Sequence, residues 1–269
     1  MSSNTIQLSS GMRNTLLSLQ QTNNLLNQTS ERLATGKKVN SALDNALSYF
    51  TASSHTSRAN DLSSLKDAMG EAIQTINAAD SGIEGIIDLI ETMKGLAKDA
   101  YSADATEAAS LDSQFEDMSD QISAMAGDAS YGGMNLLASD TLTVVFNEDG
   151  TNKMSVVGFN ATAEGLGIGS TVDFGSSGSI GSAIALLDTA LATLRTKSQT
   201  LSANLSVITA RQDFTTNMIN ALTIGADNLT AADTNEEGAN MLMLQTRQSL
   251  GTTSLSLASQ AAQSVLQLF

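Results

Sequence analysis

The stretch ERLATGKKVNSALDNA, residues 31–46, breaks a chain that otherwise favours long helices. Gly36 followed by Lys37 and Lys38 is a helix stop, because glycine accepts the left-handed cap conformation and cations suit the last turn. Ser41 and Asp44, a few residues later, supply side chains that start a new helix. The break therefore separates two helical runs, and the pattern on either side of it decides the architecture.

On its N-terminal side, Met12, Leu16, Leu19, Asn23, Leu26, Ser30 and Leu33 alternate in steps of four and three, the spacing of a heptad seam. At the other end of the chain, Met243, Leu250, Leu257, Ala261, Val265 and Leu268 recur in steps of seven, four and three. Arg247 is the sole charge between residues 241 and 269, so this segment is not patterned to face water on all sides. Neither stripe can be buried by a single helix, so the N- and C-terminal helices are expected to pair.

Further helices are expected over residues 43–98, 106–126 and 180–224, from apolar positions three, four or seven apart. Between them the period changes. The β-branched runs LTVVF (142–146) and KMSVVGF (153–159) flank Asp149-Gly150, which predicts a β-hairpin at about 141–159. A Gly/Ser-rich region, 160–182, follows. The expected fold class is mainly α: a long helical hairpin or coiled-coil bundle with a small β-hairpin in the middle.

Composition narrows the function classes. The 269 residues contain no Pro, so nothing forces a helix to stop, and no Cys, so disulfides and thiolate metal sites are excluded. A formal charge of −15 without a basic cluster argues against nucleic acid and against an anionic membrane surface. Residues 1–60 hold five basic and two acidic side chains, whereas residues 61–128 hold fifteen acidic and three basic. The acidic block reads as a solvated helix face. No apolar run approaches 18 residues, and MSSNTIQLSSGMRNTLL lacks the layout of a cleaved signal peptide.

Motifs for catalysis fail one by one. His55 is the only histidine, which removes His-based triads and multi-His metal sites. The carboxylate stripes Asp80, Glu84, Asp88, Glu91 and Asp112, Glu116, Asp120 lack an EF-hand loop or a Glu-x-x-His partner, so they read as surface. Asp173-Phe174-Gly175 lacks the other kinase elements, and GLGIGS (165–170) lacks the lysine of a P-loop. No catalytic residue, cofactor or metal is expected.

The break itself resembles the ERL-x-x-G-x-(K/R)-(I/V)-N signature of bacterial flagellins, matching at Glu31, Arg32, Leu33, Gly36, Lys38, Val39, Asn40, Ser41, Ala42, Asp44, Asn45 and Ala46. YGGMNLL (131–137) is similar to the family's (F/Y)-N-G-x-x-L-L element, with Gly132 in place of Asn, and LASQAAQSVLQLF resembles its C-terminus without the final Arg. The resemblance implies a structural subunit of the flagellar filament, with a hook–filament junction protein as the alternative. It implies a discontinuous terminal core domain, 1–39 with 227–269, and an outer helical domain, 40–226, joined by a spoke at Glu31, Arg32, Leu33, Gly36, Asn40, Ser41, Asp44 and Asn45. Assembly would rest on Met12, Leu16, Leu19, Leu26, Leu33, Leu250, Leu257, Val265 and Leu268. The implied partners are further copies of the chain, sister flagellins, junction and cap proteins, the flagellar export apparatus and an export chaperone. The implied location is the extracellular flagellum, reached without a cleaved signal peptide.

Overall fold

The computed structural model describes residues 10–169 and 174–266, with the side chains of 265 and 266 left undescribed. Among the described residues the chain forms five helices and one small sheet. The helices are α1 (Ser10–Thr35), α2 (Ala46–Asp99), α3 (Ala105–Asp128), α4 (Ser177–Thr230) and α5 (Thr234–Leu266); the strands are β1 (Thr141–Val145) and β2 (Lys153–Val157). The mainly α fold with a central hairpin and paired terminal helices is therefore as expected.

Polar caps start four of the helices. Asn45 Oδ1 accepts from Ser48 N, Asp104 Oδ1 from Thr106 N and Glu107 N, Ser176 Oγ from Ser179 N, and Asp233 Oδ1 from Asn235 N and Glu236 N. Each cap satisfies amide donors that have no partner inside their own helix.

The chain divides into two compact units, residues 1–57 with 221–269 and residues 58–220. The second holds the main core. Ile76, Ile83, Ile86, Ile90 and Met93 of α2, Phe115 and Ile122 of α3, and Leu187 and Leu194 of α4 are almost wholly buried. Phe115 and Phe174 meet edge to face with ring centroids 5.4 Å apart. Gly82 and Gly85 let α2 approach the α3 side closely: a Cβ would lie 2.7 Å from Ala129 Cβ at the first and 2.6 Å from Met125 Sδ at the second. The 54-residue α4 also holds a window of mean hydropathy 1.3, long and apolar enough by composition to cross a membrane although no continuous apolar run reaches that length. Its Ile180, Leu187, Leu191 and Leu194 are buried in the core cluster of this unit, which accounts for their apolar character.

In the antiparallel hairpin, Thr141 faces Val157 and Val145 faces Lys153. Leu142, Val144, Met154 and Val156 join the core or its margin, while Thr141, Thr143, Lys153 and Ser155 are exposed, the alternation of a half-buried sheet. Seven residues, 146–152, rather than a tight pair connect the strands. Asn147 Oδ1 accepts from Asn152 N, and Gly150 takes φ +66°. Three cations hold this region to the helices: Arg58 pairs with Glu148 at 2.6 Å, Arg211 stands 5.4 Å from the Phe146 ring and Lys197 stands 5.2 Å from that of Phe159.

Asn135, in the YGGMNLL stretch, closes the end of α3. Its buried amide donates to the Ala126 and Gly127 carbonyls at 2.8 and 2.9 Å, its Oδ1 accepts from Leu137 N, and Leu136 and Leu137 are buried beside it. Asn135→Ala is expected to lower stability by about 1–3 kcal/mol, since it leaves buried backbone groups without partners. Thermal unfolding followed by circular dichroism checks this, and an unchanged melting temperature would remove Asn135 from that role.

Candidate assembly surface

The break after α1 is stitched to the short connection between α4 and α5. Gly36 takes φ +69°, the left-handed conformation that ends a helix and that side chains resist. Beyond it, Lys37 bridges Ala231 in antiparallel fashion, the amides of Lys38 and Val39 donate to the Thr230 carbonyl at 2.7 and 3.3 Å, and Ala232 N donates to the Gly36 carbonyl at 2.9 Å. Val39 is buried here.

The rest of the break is held by one carboxylate. Asp44 Oδ2 accepts from Asn40 N, Ser41 N and Ser41 Oγ at 3.0, 3.0 and 3.2 Å. The backbone donors of Ser41 and Asn40 pull its pKa below the ordinary value of 3.8. Thr35 Oγ1 accepts from Lys37 N and donates to the Glu31 carbonyl, so the last turn of α1 is closed as well. Of the signature residues, Arg32, Gly36, Asn40 and Ser41 are half-buried, while Glu31, Leu33, Asp44 and Asn45 are exposed.

From this joint α1 and α5 run antiparallel. Arg32 pairs with Glu237 at 3.0 Å, Gln248 Nε2 donates to Asn23 Oδ1 at 2.7 Å, and Gly251 lies against Leu19, so numbers fall on α5 as they rise on α1. The least exposed positions on α1 are Met12, Thr15, Leu19, Thr22, Leu26, Thr29 and Arg32. On α5 they are Glu237, Met241, Leu244, Gln248, Gly251, Leu255, Ala258 and Ala262. Both are heptad stripes, but their phase differs from that expected.

On α1 the seam uses Thr15, Thr22 and Thr29 where Leu16, Asn23 and Ser30 were expected. A helical threonine can turn its hydroxyl to the carbonyl four residues earlier and present its methyl group. Thr15 and Thr22 do this, bonding the Gly11 and Ser18 carbonyls at 3.0 and 2.8 Å, and Thr22 and Thr29 are buried. Asn23 has no such outlet and reaches sideways to Gln248. Leu16 is consequently 41 % exposed.

On α5 the displacement is larger. Met243, Leu250 and Leu257, seven residues apart, lie on the solvent side of the pair, the last two 64 % and 68 % exposed. Leu17, Leu25 and Leu242 add to the exposed apolar surface of these helices. Of the nine residues expected to drive assembly, Met12 is buried, Leu19 and Leu26 are half-buried, and Leu16, Leu33, Leu250 and Leu257 are exposed. The Val265 side chain and Leu268 lie outside the described residues. Sequence reasoning missed Thr22, Thr29, Glu237, Leu244 and Gly251; the threonines already kept heptad spacing with Met12, Leu19 and Leu26, which was the available signal.

Among the described residues no group of three acidic or histidine side chains could hold a metal ion. The family model for the bacterial flagellin N-terminal helical region matches residues 4–141. The chain is 32 % identical to flagellin FljM of Caulobacter vibrioides over the full length of both, and 30 % identical to a flagellin of Brucella melitensis, covering 94 % of this chain and 95 % of the relative. Among solved structures, that of Bacillus cereus flagellin matches with a TM-score of 0.50 at 19 % identity, covering 58 % of this chain and 94 % of the other, which supports the fold.

Because the Asp44 pKa is depressed on folding, its contribution is present above the ordinary carboxylate value and is lost as pH falls through the lower folded value. Protection of the Asn40 and Ser41 amides from hydrogen exchange is therefore expected to persist at pH 3.8, where an ordinary aspartate is half protonated, and to be lost only at lower pH. In Asp44→Ala it should be absent throughout; protection that survives in that variant would mean another group holds the turn.

Proposed function

The chain belongs to the bacterial flagellin family and is a structural subunit of the flagellar filament, and from that premise we propose that its paired terminal helices supply the contacts between subunits. The observation that carries this reading is the outward placement of Leu16, Leu17, Leu25, Met243, Leu250 and Leu257 on α1 and α5. A fully buried leucine contributes roughly 1.5–3 kcal/mol. Isolated exposed leucines are ordinary, but a heptad row of them on a helix pair is a surface that a second copy can cover.

In this reading residues 1–39 and 227–269 form the terminal core of the filament, 40–226 form the outer part, and Glu31, Arg32, Leu33, Gly36, Asn40, Ser41, Asp44 and Asn45 are the spoke between them. The terminal segments order fully as they meet neighbouring subunits, so that lost chain entropy is offset by apolar burial. Sister flagellins, junction and cap proteins, the export apparatus and an export chaperone are the remaining partners. We assign the chain no catalytic step and no cofactor. No observation favours a hook–filament junction role.

Leu257→Asp separates assembly from folding, because the side chain is exposed in the single chain. Thermal stability of the monomer is expected to stay within about 0.5 kcal/mol, the usual range for a surface change. Seeded growth of filaments, seen by electron microscopy, should be lost. Normal filaments from this variant would overturn the assignment of this face.

A further inference from the structure

Gly251 sits in the interior of α5, where glycine costs about 1 kcal/mol relative to alanine. Its place there is explained by the opposite helix. A Cβ built on Gly251 would lie 2.9 Å from Leu19 Cδ2 and 3.0 Å from Leu19 Cγ, so the Leu19 side chain fills the space a larger residue would need. Gly238, in the first turns of the same helix, has nothing within 4 Å of such an atom. The two glycines thus differ in the one respect that matters for packing.

Much of the seam repeats with heptad spacing: Met12, Leu19 and Leu26 recur on α1, and Leu244, Gly251 and Ala258 on α5, so a shift of one heptad again brings seam residues opposite seam residues. At the joint the alignment is fixed by the backbone bridge of Lys38, Val39 and Ala232 with Thr230 and Gly36 and by the Arg32–Glu237 ion pair; farther along the helices the features specific to one alignment are the Gln248–Asn23 hydrogen bond and the Leu19 knob in the Gly251 notch. The ion pair alone is a weak guide, since the long arginine side chain can follow a displaced partner.

We propose that Gly251 and Leu19 form a register lock: the missing side chain at 251 admits Leu19 and so holds, several turns away from the joint, the axial alignment of α1 against α5 that the backbone bridge begins. This rests on the assembly reading above and deepens it, because that alignment decides how Leu16 and Leu25 are phased against Leu250 and Leu257 on the outer face. The two residues are positioning residues, acting on the interface through the helices that carry it.

The test uses the absence of cysteine in the chain. In the full-length protein, Asn23→Cys with Gln248→Cys reports the observed register, and Asn23→Cys with Leu255→Cys reports a shift of one heptad. A short thiol-reactive cross-linker applied to dilute monomer gives the initial rate for each pair, so that even a transiently closed pair is counted. The 23–248 product is expected to dominate. Gly251→Leu should reduce that preference by roughly tenfold, the scale of an ordinary overpacking penalty. Adding Leu19→Ala to Gly251→Leu should restore it, and Gly238→Ala should leave it unchanged.

A preference that survives Gly251→Leu would overturn the lock, as would equal rates for the two cysteine pairs in the otherwise unaltered chain. Loss that Leu19→Ala does not rescue would also overturn it, assigning the effect to α5 alone. Filament growth is scored separately on the cysteine-free chain. Failure there, with the cross-link preference intact, would count against the assembly reading and leave the lock standing.

Discussion

The Thr230 carbonyl, which receives the amides of both Lys38 and Val39, is the point on which the arrangement of the terminal unit depends. With the return bond from Ala232 N to the Gly36 carbonyl, it joins two interhelical connections that are almost two hundred residues apart in the chain. A backbone bridge of this kind is insensitive to side-chain identity but demanding in geometry. It requires α1 to end where it does, and Gly36 allows that by taking φ +69° without steric penalty. Once the bridge forms, α1 and α5 leave it side by side and antiparallel, and the Arg32–Glu237 pair lies within the first turns beyond it. Asp44 completes the joint on the other side by collecting the amides that the turn leaves unpaired.

The same joint accounts for an inversion in the terminal pair. In most amphipathic helices the apolar stripe faces inward, and the expectation for α1 and α5 followed that rule. Here the inner stripe mixes Met12, Leu19, Leu26 and Leu244 with Thr15, Thr22, Thr29, Glu237, Gln248 and Gly251, while Leu250 and Leu257 face out. A seam so diluted with polar and small residues buries less apolar area than a row of leucines would. Whatever covers the outer leucines therefore contributes to folding of the pair as well as to association, since a partner that binds only the folded form stabilises it by mass action. Folding of the ends and addition of a subunit become one coupled event.

Much of this was legible before any coordinates. The absence of proline and the 3.6-residue period place the helices, and Asp149-Gly150 between β-branched runs places the hairpin, whereas the start of α2 is capped by Asn45 and not by Ser41 and Asp44, which hold the turn before it. The signature around Gly36 marked the break and its family. Two things were hidden for identifiable reasons. Heptad counting cannot choose between adjacent phases when each offers a mixture of apolar and polar residues, and only the hydrogen bonds of Thr15 and Thr22 to their own helix show why threonine wins over Leu16 and Asn23. Nor does spacing show that Asn135 caps α3 through two carbonyls, because those bonds reach back eight and nine residues through a turn.

Charge supplies the remaining constraint. Residues 1–57 and 221–269 carry five of the thirteen cations and six of the 28 carboxylates, close to balance, and the acidic excess belongs to residues 58–220. In a polymer built from many copies, like charges brought within a Debye length of about 8–10 Å repel one another. The terminal unit escapes that cost almost entirely, and its contacts can be dominated by leucine and methionine. The acidic unit does not, so copies that approach through it gain nothing until the apolar contacts of the termini are made. The distribution of charge thus works in the same direction as the outward leucines: it leaves the helix pair as the part of the chain where association is least opposed, and so biases which surface leads when subunits meet.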